Sequence, residues 1–131
     1  MHGVIIVLYM HKILLADDHE EFLKVHKILL ERAGFHVIEA RSGEEALHLA
    51  EKEKPNLVVL DVEMPKKDGI SVMRDIRLSP WGTNMPIVLL TGKDEDDLRL
   101  KEVTRWEPAY YFLKAKASPN ELVVKIQSLL S

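Results

Sequence analysis

Five short apolar runs alternate with stretches of helical periodicity, and this alternation is what most constrains the fold. The predicted strands are KILLA (12–16), FHVIEA (35–40), NLVVLD (56–61), MPIVLLT (85–91) and AYYFL (109–113). Unbroken apolar strands joined by helices are typical of parallel sheets that are covered on both faces. The pattern therefore predicts an α/β fold with a five-stranded, doubly wound parallel sheet.

The segments between these strands carry helix signals. The predicted helices cover 20–33, 43–55, 69–78, 93–105 and 121–130. Gly34 stands where the end of the first helix favours a left-handed residue. Ser42 with Glu45, and Ser118 with Glu121, have the spacing of a capping box, so we expect both to cap the helix that follows. The strand–helix unit thus repeats five times.

The composition narrows the possible functions. The chain has 131 residues, the length of one domain, and no cysteine, which excludes disulfides and thiolate chemistry. Its net charge of −3 offers no excess of positive charge for nucleic acid. The early apolar run 3–10 is far shorter than the ~20 residues that span a bilayer. We expect a cytoplasmic protein with one domain over 10–131 and an N-terminal extension over 1–9, binding neither nucleic acid nor membrane.

Polar residues stand at the carboxyl ends of four predicted strands, where doubly wound sheets bind ligands. They are Asp17 and Asp18, Asp61, Thr91 and Lys114. Three gathered carboxylates raise one another's pKa unless a cation holds them, and oxygen ligands suit Mg²⁺. An aspartate can attack a phosphoryl group to give an acyl phosphate, while Lys114 and Thr91 contact the phosphoryl oxygens. Each residue taken alone has a simpler alternative. Asp17 and Asp18 would cap the first helix, and Asp61 would cap the turn after its strand. Thr91 would be a turn residue and Lys114 a solvated surface cation.

Four segments resemble the receiver domain of two-component response regulators. They are ADD (16–18), LDVEMPKKDG (60–69), LLTGK (89–93) and YFLK (111–114). Their order and intervals are similar to those of the family, and the resemblance covers nearly all of 10–131. It implies a flavodoxin-like (βα)5 fold with strand order 2-1-3-4-5, and a phosphoacceptor signalling domain rather than an enzyme.

The resemblance also implies roles for individual residues. Asp61 would accept the phosphoryl group from a phosphohistidine on a partner. Mg²⁺ would be held by the side chains of Asp18 and Asp61, by the backbone carbonyl of Glu63, and by Asp17 mainly through water. We further hypothesise that the Glu63 side chain pairs with Lys93 across the site and slows the attack of water on the acyl phosphate.

The same resemblance implies a conformational switch and shows where this chain departs from the family. Thr91 would move toward the phosphoryl group, and the ring of Tyr111 would turn inward behind it. Ala115 stands where the family usually has proline, so we expect the Lys114–Ala115 peptide bond to be trans. Glu107 and the proline after it replace the family's Gly-Ala turn.

The implied partners are a sensor histidine kinase or a histidine phosphotransfer protein. We expect no DNA-binding or catalytic output domain, so the phosphorylated form is expected to bind a downstream protein or to pass its phosphoryl group along a relay. The resemblance implies that the binding surface is the fourth helix, fifth strand and fifth helix. We expect a monomer or a phosphorylation-dependent dimer. Two other functions remain open: a receiver-like binding module that is never phosphorylated, and an aspartyl-phosphate phosphohydrolase. The six histidines lack the spacing of metal ligands, so we interpret them as structural or surface residues. They are His2, His11, His19, His26, His36 and His48.

Overall fold

A computed structural model describes residues 10–92 and 100–131 of the chain. The strands are β1 (Lys12–Ala16), β2 (His36–Ala40), β3 (Leu57–Asp61), β4 (Ile87–Thr91) and β5 (Tyr110–Leu113). The helices are α1 (Glu20–Arg32), α2 (Gly43–Glu53), α3 (Gly69–Leu78), α4 (Leu100–Arg105) and α5 (Pro119–Leu130). All pairings in the sheet are parallel, and the strand order is β2-β1-β3-β4-β5, which confirms the predicted fold.

Helices cover both faces of the sheet. Alternate strand residues point to opposite sides, so both faces carry apolar side chains that have to be buried. One face packs against α2, α3 and α4 through residues that include Ala46, Met73 and Val103. The other face packs against α1 and α5, with Leu23 and Ile126 among its buried members. The central strands β3 and β4 are buried along their whole length, which explains their uninterrupted apolar sequences.

Two predicted helix ends are confirmed by the backbone. Gly34 has a φ of +98°, and the N–H of Phe35 donates to the carbonyl of Leu30 at 3.0 Å, closing the end of α1. At the start of α2, the hydroxyl of Ser42 accepts a bond from the N–H of Glu45 at 3.1 Å. Both ends follow from local residue chemistry, which explains why the sequence alone predicts them.

The predicted start of α5 is confirmed in part. Ser118 is the N-cap residue, as predicted, but the helix begins at Pro119 rather than Glu121, and the side chain of Ser118 makes no capping hydrogen bond. The N–H of Glu121 donates instead to the backbone carbonyl of Ser118 at 3.0 Å. The backbone thus satisfies the donor that the hydroxyl was expected to cap.

The remaining differences concern element boundaries. The second to fifth strands begin one or two residues later than predicted, and α2 ends at Glu53, where Lys54 takes a left-handed φ of 46°. Of the predicted fourth helix, residues 93–99 lie outside the described part of the chain. Within the described ranges, no helix combines the length and apolar character that crossing a membrane requires.

Candidate functional site

The carboxyl ends of β1, β3, β4 and β5 place the predicted site residues in one crevice. Asp17 directly follows β1, Asp61 is the last residue of β3, and Thr91 is the last of β4. Lys114 follows β5, and its backbone N–H donates to the backbone carbonyl of Thr91 at 2.9 Å. The parallel register therefore gathers side chains from distant parts of the sequence at one edge of the sheet, as predicted.

The ammonium of Lys114 lies between two acids. Its Nζ donates to Oδ2 of Asp17 at 2.7 Å and lies 3.6 Å from Oδ2 of Asp61. The peptide bond to Ala115 is trans, as expected. Alanine in place of proline therefore still leaves Lys114 within reach of both carboxylates.

Asp61 is a buried acid of the crevice with a raised pKa. The residue is 3% exposed, and its Oδ2 has no hydrogen-bond partner among the described residues. Burial, followed by the charge of Asp17, raises the pKa of Asp61 to about 6, while Lys114 and the N–H of Glu63 act in the opposite direction. A buried carboxylate oxygen without a donor, beside other acids, is well suited to a bound cation.

Four side chains offer ligand atoms that lie within 4.8 Å of one another: Asp17, Asp18, His19 and Asp61. Three of them were predicted from the sequence, and their oxygens suit a hard divalent cation. Asp18 is the most accessible of the three carboxylates, with 38% of its side chain exposed. The predicted acid cluster is thus present, and the residues fit a divalent metal.

His19 is a member of this cluster that sequence reasoning missed. Its Nδ1 lies 2.9 Å from Oδ1 of Asp17, 3.4 Å from Asp18 and 3.9 Å from Asp61. The hydrogen bond to Asp17 raises the pKa of His19. Oδ1 of Asp17 also accepts the backbone N–H of His19 at 2.9 Å, and this Asx-type turn brings the imidazole back to the acids. The sequence signal for this position of His19 is therefore an aspartate, Asp17, two residues before the histidine.

Thr91 and Tyr111 lie on the same face of the sheet. Tyr111 is opposite Leu89 in the register, so it is diagonal to Thr91, two residues further along β4. Thr91 is 1% exposed, and the half-buried Tyr111 packs on the apolar cluster beneath α2, α3 and α4. Tyr110 points to the other face, where its ring lies 6.0 Å from that of Phe112. The fold thus distinguishes the two adjacent tyrosines.

The loop after β3 is packed closely against the backbone of Asp61. A Cβ added at Gly69 would lie 2.2 Å from the carbonyl oxygen of Asp61. The N–H of Gly69 donates to the carbonyl of Val62 at 2.9 Å. Glu63 is exposed in this loop, and its predicted partner Lys93 lies outside the described residues. Glycine at position 69 is therefore required for the approach of α3 to the crevice.

Comparison with known proteins agrees with this geometry. A profile described as the response regulator receiver domain matches residues 13–127. The chain is 40% identical over 119 residues to the alkaline phosphatase synthesis transcriptional regulatory protein PhoP of Bacillus subtilis, covering 91% of this chain and 48% of that protein. It therefore spans about half the length of that curated relative.

Solved structures show the same similarity. The chemotaxis response regulator CheY4 of Vibrio cholerae superposes with a TM-score of 0.82 at 26% identity, covering 91% of this chain and 98% of that one. The Mn²⁺-bound form of the response regulator Rcp1 gives a TM-score of 0.77 at 26% identity, covering 90% and 92%.

Proposed function

Because the chain belongs to the family of response regulator receiver domains, we propose that it accepts a phosphoryl group on Asp61 and signals through a change of conformation. A carboxylate oxygen of Asp61 attacks the phosphorus of a phosphohistidine. The P–O bond of an acyl phosphate forms as the P–N bond breaks, and the departing imidazole nitrogen takes up a proton. The observation that carries this assignment is the buried Oδ2 of Asp61, which has no hydrogen-bond donor within residues 10–92 and 100–131 and faces the acids and Lys114.

We assign the divalent metal of the receiver family to Mg²⁺ in this chain. Asp18 and Asp61 would hold it through carboxylate oxygens, Glu63 through its backbone carbonyl, and Asp17 mainly through water. Both oxygens of Asp17 already accept hydrogen bonds, from His19 and Lys114, which favours an indirect role for Asp17. When bound, Mg²⁺ neutralises charge on the phosphoryl oxygens.

Lys114 and Thr91 contact the transferred group. The ammonium is 3.6 Å from Oδ2 of Asp61, so it reaches a phosphoryl oxygen after a small movement away from Asp17. The hydroxyl of Thr91 donates to a second oxygen and is drawn toward it. Tyr111, diagonal to Thr91 on the same face, then turns inward and carries the change to the surface. The acyl phosphate thereby stabilises one of two pre-existing conformations.

Response regulators work with histidine kinases, and the donor here is a sensor histidine kinase or a histidine phosphotransfer protein. We assign residues 10–131 to the receiver domain and 1–9 to an extension. The output surface is formed by α4, β5 and α5, and it binds a protein rather than nucleic acid. This binding takes place in the cytoplasm. The chain acts as a monomer or as a phosphorylation-dependent dimer. The domain is a signalling switch whose only chemistry is its own phosphorylation and dephosphorylation.

Beryllofluoride, which mimics a phosphoryl group on aspartate, tests this function. With Mg²⁺ present, we expect the wild-type chain to give a bound ¹⁹F resonance and a shift of the Tyr111 signals. Asp61→Asn should give neither, whereas Asp75→Asn, which changes an acid paired with Lys67 outside the crevice, should behave as wild type. A wild-type chain that gives no bound signal supports an unphosphorylated binding module. Rapid multiple turnover of phosphate esters supports a phosphohydrolase.

A further inference from the structure

The ammonium of Lys114 rests on an aromatic ring as well as on an acid. Its Nζ lies 4.4 Å from the ring centroid of Phe22, a residue of the first turn of α1. The same Nζ donates to Asp17 at 2.7 Å. The lysine side chain is 17% exposed, so its charge is largely withdrawn from water at this point. Cation–π contacts are strongest where the cation is desolvated.

The ring of Phe22 is itself held from behind by His26. The two rings stack with centroids 3.8 Å apart and an interplanar angle of 21°. Nδ1 of His26 is 2.9 Å from the carbonyl oxygen of Phe22, one helical turn earlier, which fixes the imidazole against the helix. His26 is 5% exposed, and burial lowers its pKa, so a neutral ring backs Phe22 at pH 7.

We propose that Phe22, backed by His26, is a positioning residue that holds the ammonium of Lys114 between Asp17 and Asp61. Phe22 has no group that could bond to a phosphoryl oxygen, so it acts only through the lysine. The aromatic face removes one direction of movement from a flexible four-carbon side chain, and Asp17 removes another. This inference rests on the proposed contact of Lys114 with the phosphoryl group.

Residue 115 explains why a restraint on the Lys114 side chain matters. Proline at that position would limit φ directly after Lys114, and alanine does not. In this chain the restraint on Lys114 comes from α1, across the crevice, instead of from its own loop. The side chain therefore keeps a defined position although its backbone is less constrained.

Substitution of Phe22 by residues of similar size separates positioning from packing. Phe22→Leu keeps an apolar side chain but removes the ring, whereas Phe22→Tyr keeps the aromatic face. The rate of phosphorylation by acetyl phosphate should fall by about three- to tenfold in Phe22→Leu, the equivalent of one cation–π contact, and remain near wild type in Phe22→Tyr. Val25→Leu, at a 43% exposed position on the same helix, is the matched control and should have no effect.

Proton NMR measures the chemical shift of the Lys114 ε-methylene protons, which would not depend on the ring if Phe22 served only to pack the helix. Because Lys114 lies over a ring, its ε-methylene protons should be shifted upfield in the wild type and in Phe22→Tyr, and should lose that shift in Phe22→Leu. Equal rates in Phe22→Leu and wild type, or a loss of rate in Phe22→Tyr as large as in Phe22→Leu, would overturn the proposal. If wild type is not phosphorylated at all, the proposed function fails, while the ring-current shift still decides whether Phe22 positions the lysine.

Discussion

Lys114 donates a 2.7 Å hydrogen bond to Asp17, a residue 97 positions earlier in the chain. This contact joins the loop after β5 to the end of β1 and places a positive charge beside the buried Asp61. Asp17 is completely buried, so the ammonium compensates the charge of a carboxylate that has lost most of its hydration. In the crevice, the ammonium of Lys114 therefore supplies a positive charge beside both Asp17 and Asp61.

Removing this charge should impair phosphorylation strongly. Lys114→Met leaves Oδ2 of Asp17 without its donor and takes away the cation that lowers the pKa of Asp61. We expect the phosphorylation rate with acetyl phosphate to fall about 100-fold, as is usual when a fixed electrostatic contact to a reacting group is lost. The measurement is a time course by intact-protein mass spectrometry. Lys116→Met, at an exposed position, should retain the wild-type rate, and a similar loss in both variants would argue against a specific role.

Asp61→Asn should stabilise the metal-free fold at neutral pH. The pKa of Asp61 is raised to about 6 from an ordinary 3.8, so between these values the folded state holds a proton that the unfolded state has released. The contribution of Asp61 to the free energy of unfolding therefore falls as pH rises through this window. We expect a gain of about 1–3 kcal/mol for the variant at about pH 7 and none below about pH 4. Urea unfolding at several pH values measures it, and a gain that does not vary with pH contradicts the burial of this charge.

Gly69→Ala should disturb the crevice through the backbone of Asp61. The added Cβ would lie 2.2 Å from the carbonyl oxygen of Asp61, so β3 and α3 have to move apart. We expect a loss of stability of about 1–3 kcal/mol and weaker beryllofluoride binding. Gly92→Ala is the matched control, because an added Cβ there meets no atom of the described part of the chain within 4 Å. Wild-type binding in Gly69→Ala would show that the close approach is not needed.

Arg77 should make a larger contribution to stability than its neighbour Arg74. Its guanidinium donates to four backbone carbonyls at 2.7 to 3.1 Å, those of Gly82, Met85, Trp106 and Glu107. Arg77→Met leaves these acceptors without their donor and should lower the free energy of unfolding by about 2–4 kcal/mol. Arg74 pairs with the adjacent Asp75 near the surface, and Arg74→Met should cost at most about 0.5 kcal/mol. Denaturant unfolding compares the two, and equal effects contradict the account.

The sequence predicts the fold well because its signals are local. The apolar runs of β3 and β4 show their burial directly, and Gly34 ends α1 for a stereochemical reason that holds in any context. The acids and Lys114 are predictable as a cluster because the carboxyl ends of parallel strands meet at one edge. The resemblance to receiver domains then implies a role for each member of that cluster.

Other features depend on tertiary contacts that no local pattern records. Phe22 reads in the sequence as one more apolar position of a helix, although its face supports Lys114. The partners of Arg77 lie up to 30 residues away, so its sequence context carries no sign of them. At Ser118 the local pattern predicts a side-chain cap, but a backbone carbonyl takes that role. Contacts across the fold thus determine the roles of Phe22 and Arg77, whereas at Ser118 a local backbone hydrogen bond replaces the expected side-chain bond.

Chemical trapping of the acyl phosphate tests the central claim most directly. The chain is phosphorylated with acetyl phosphate and Mg²⁺, reduced with borohydride, digested and sequenced by mass spectrometry. We predict that Asp61 alone is converted to homoserine, and that omission of Mg²⁺ or the Asp61→Asn substitution abolishes the conversion. Homoserine at Asp17 or Asp18 instead, or no conversion in a folded wild-type chain, would contradict the assignment of Asp61 as the phosphoacceptor.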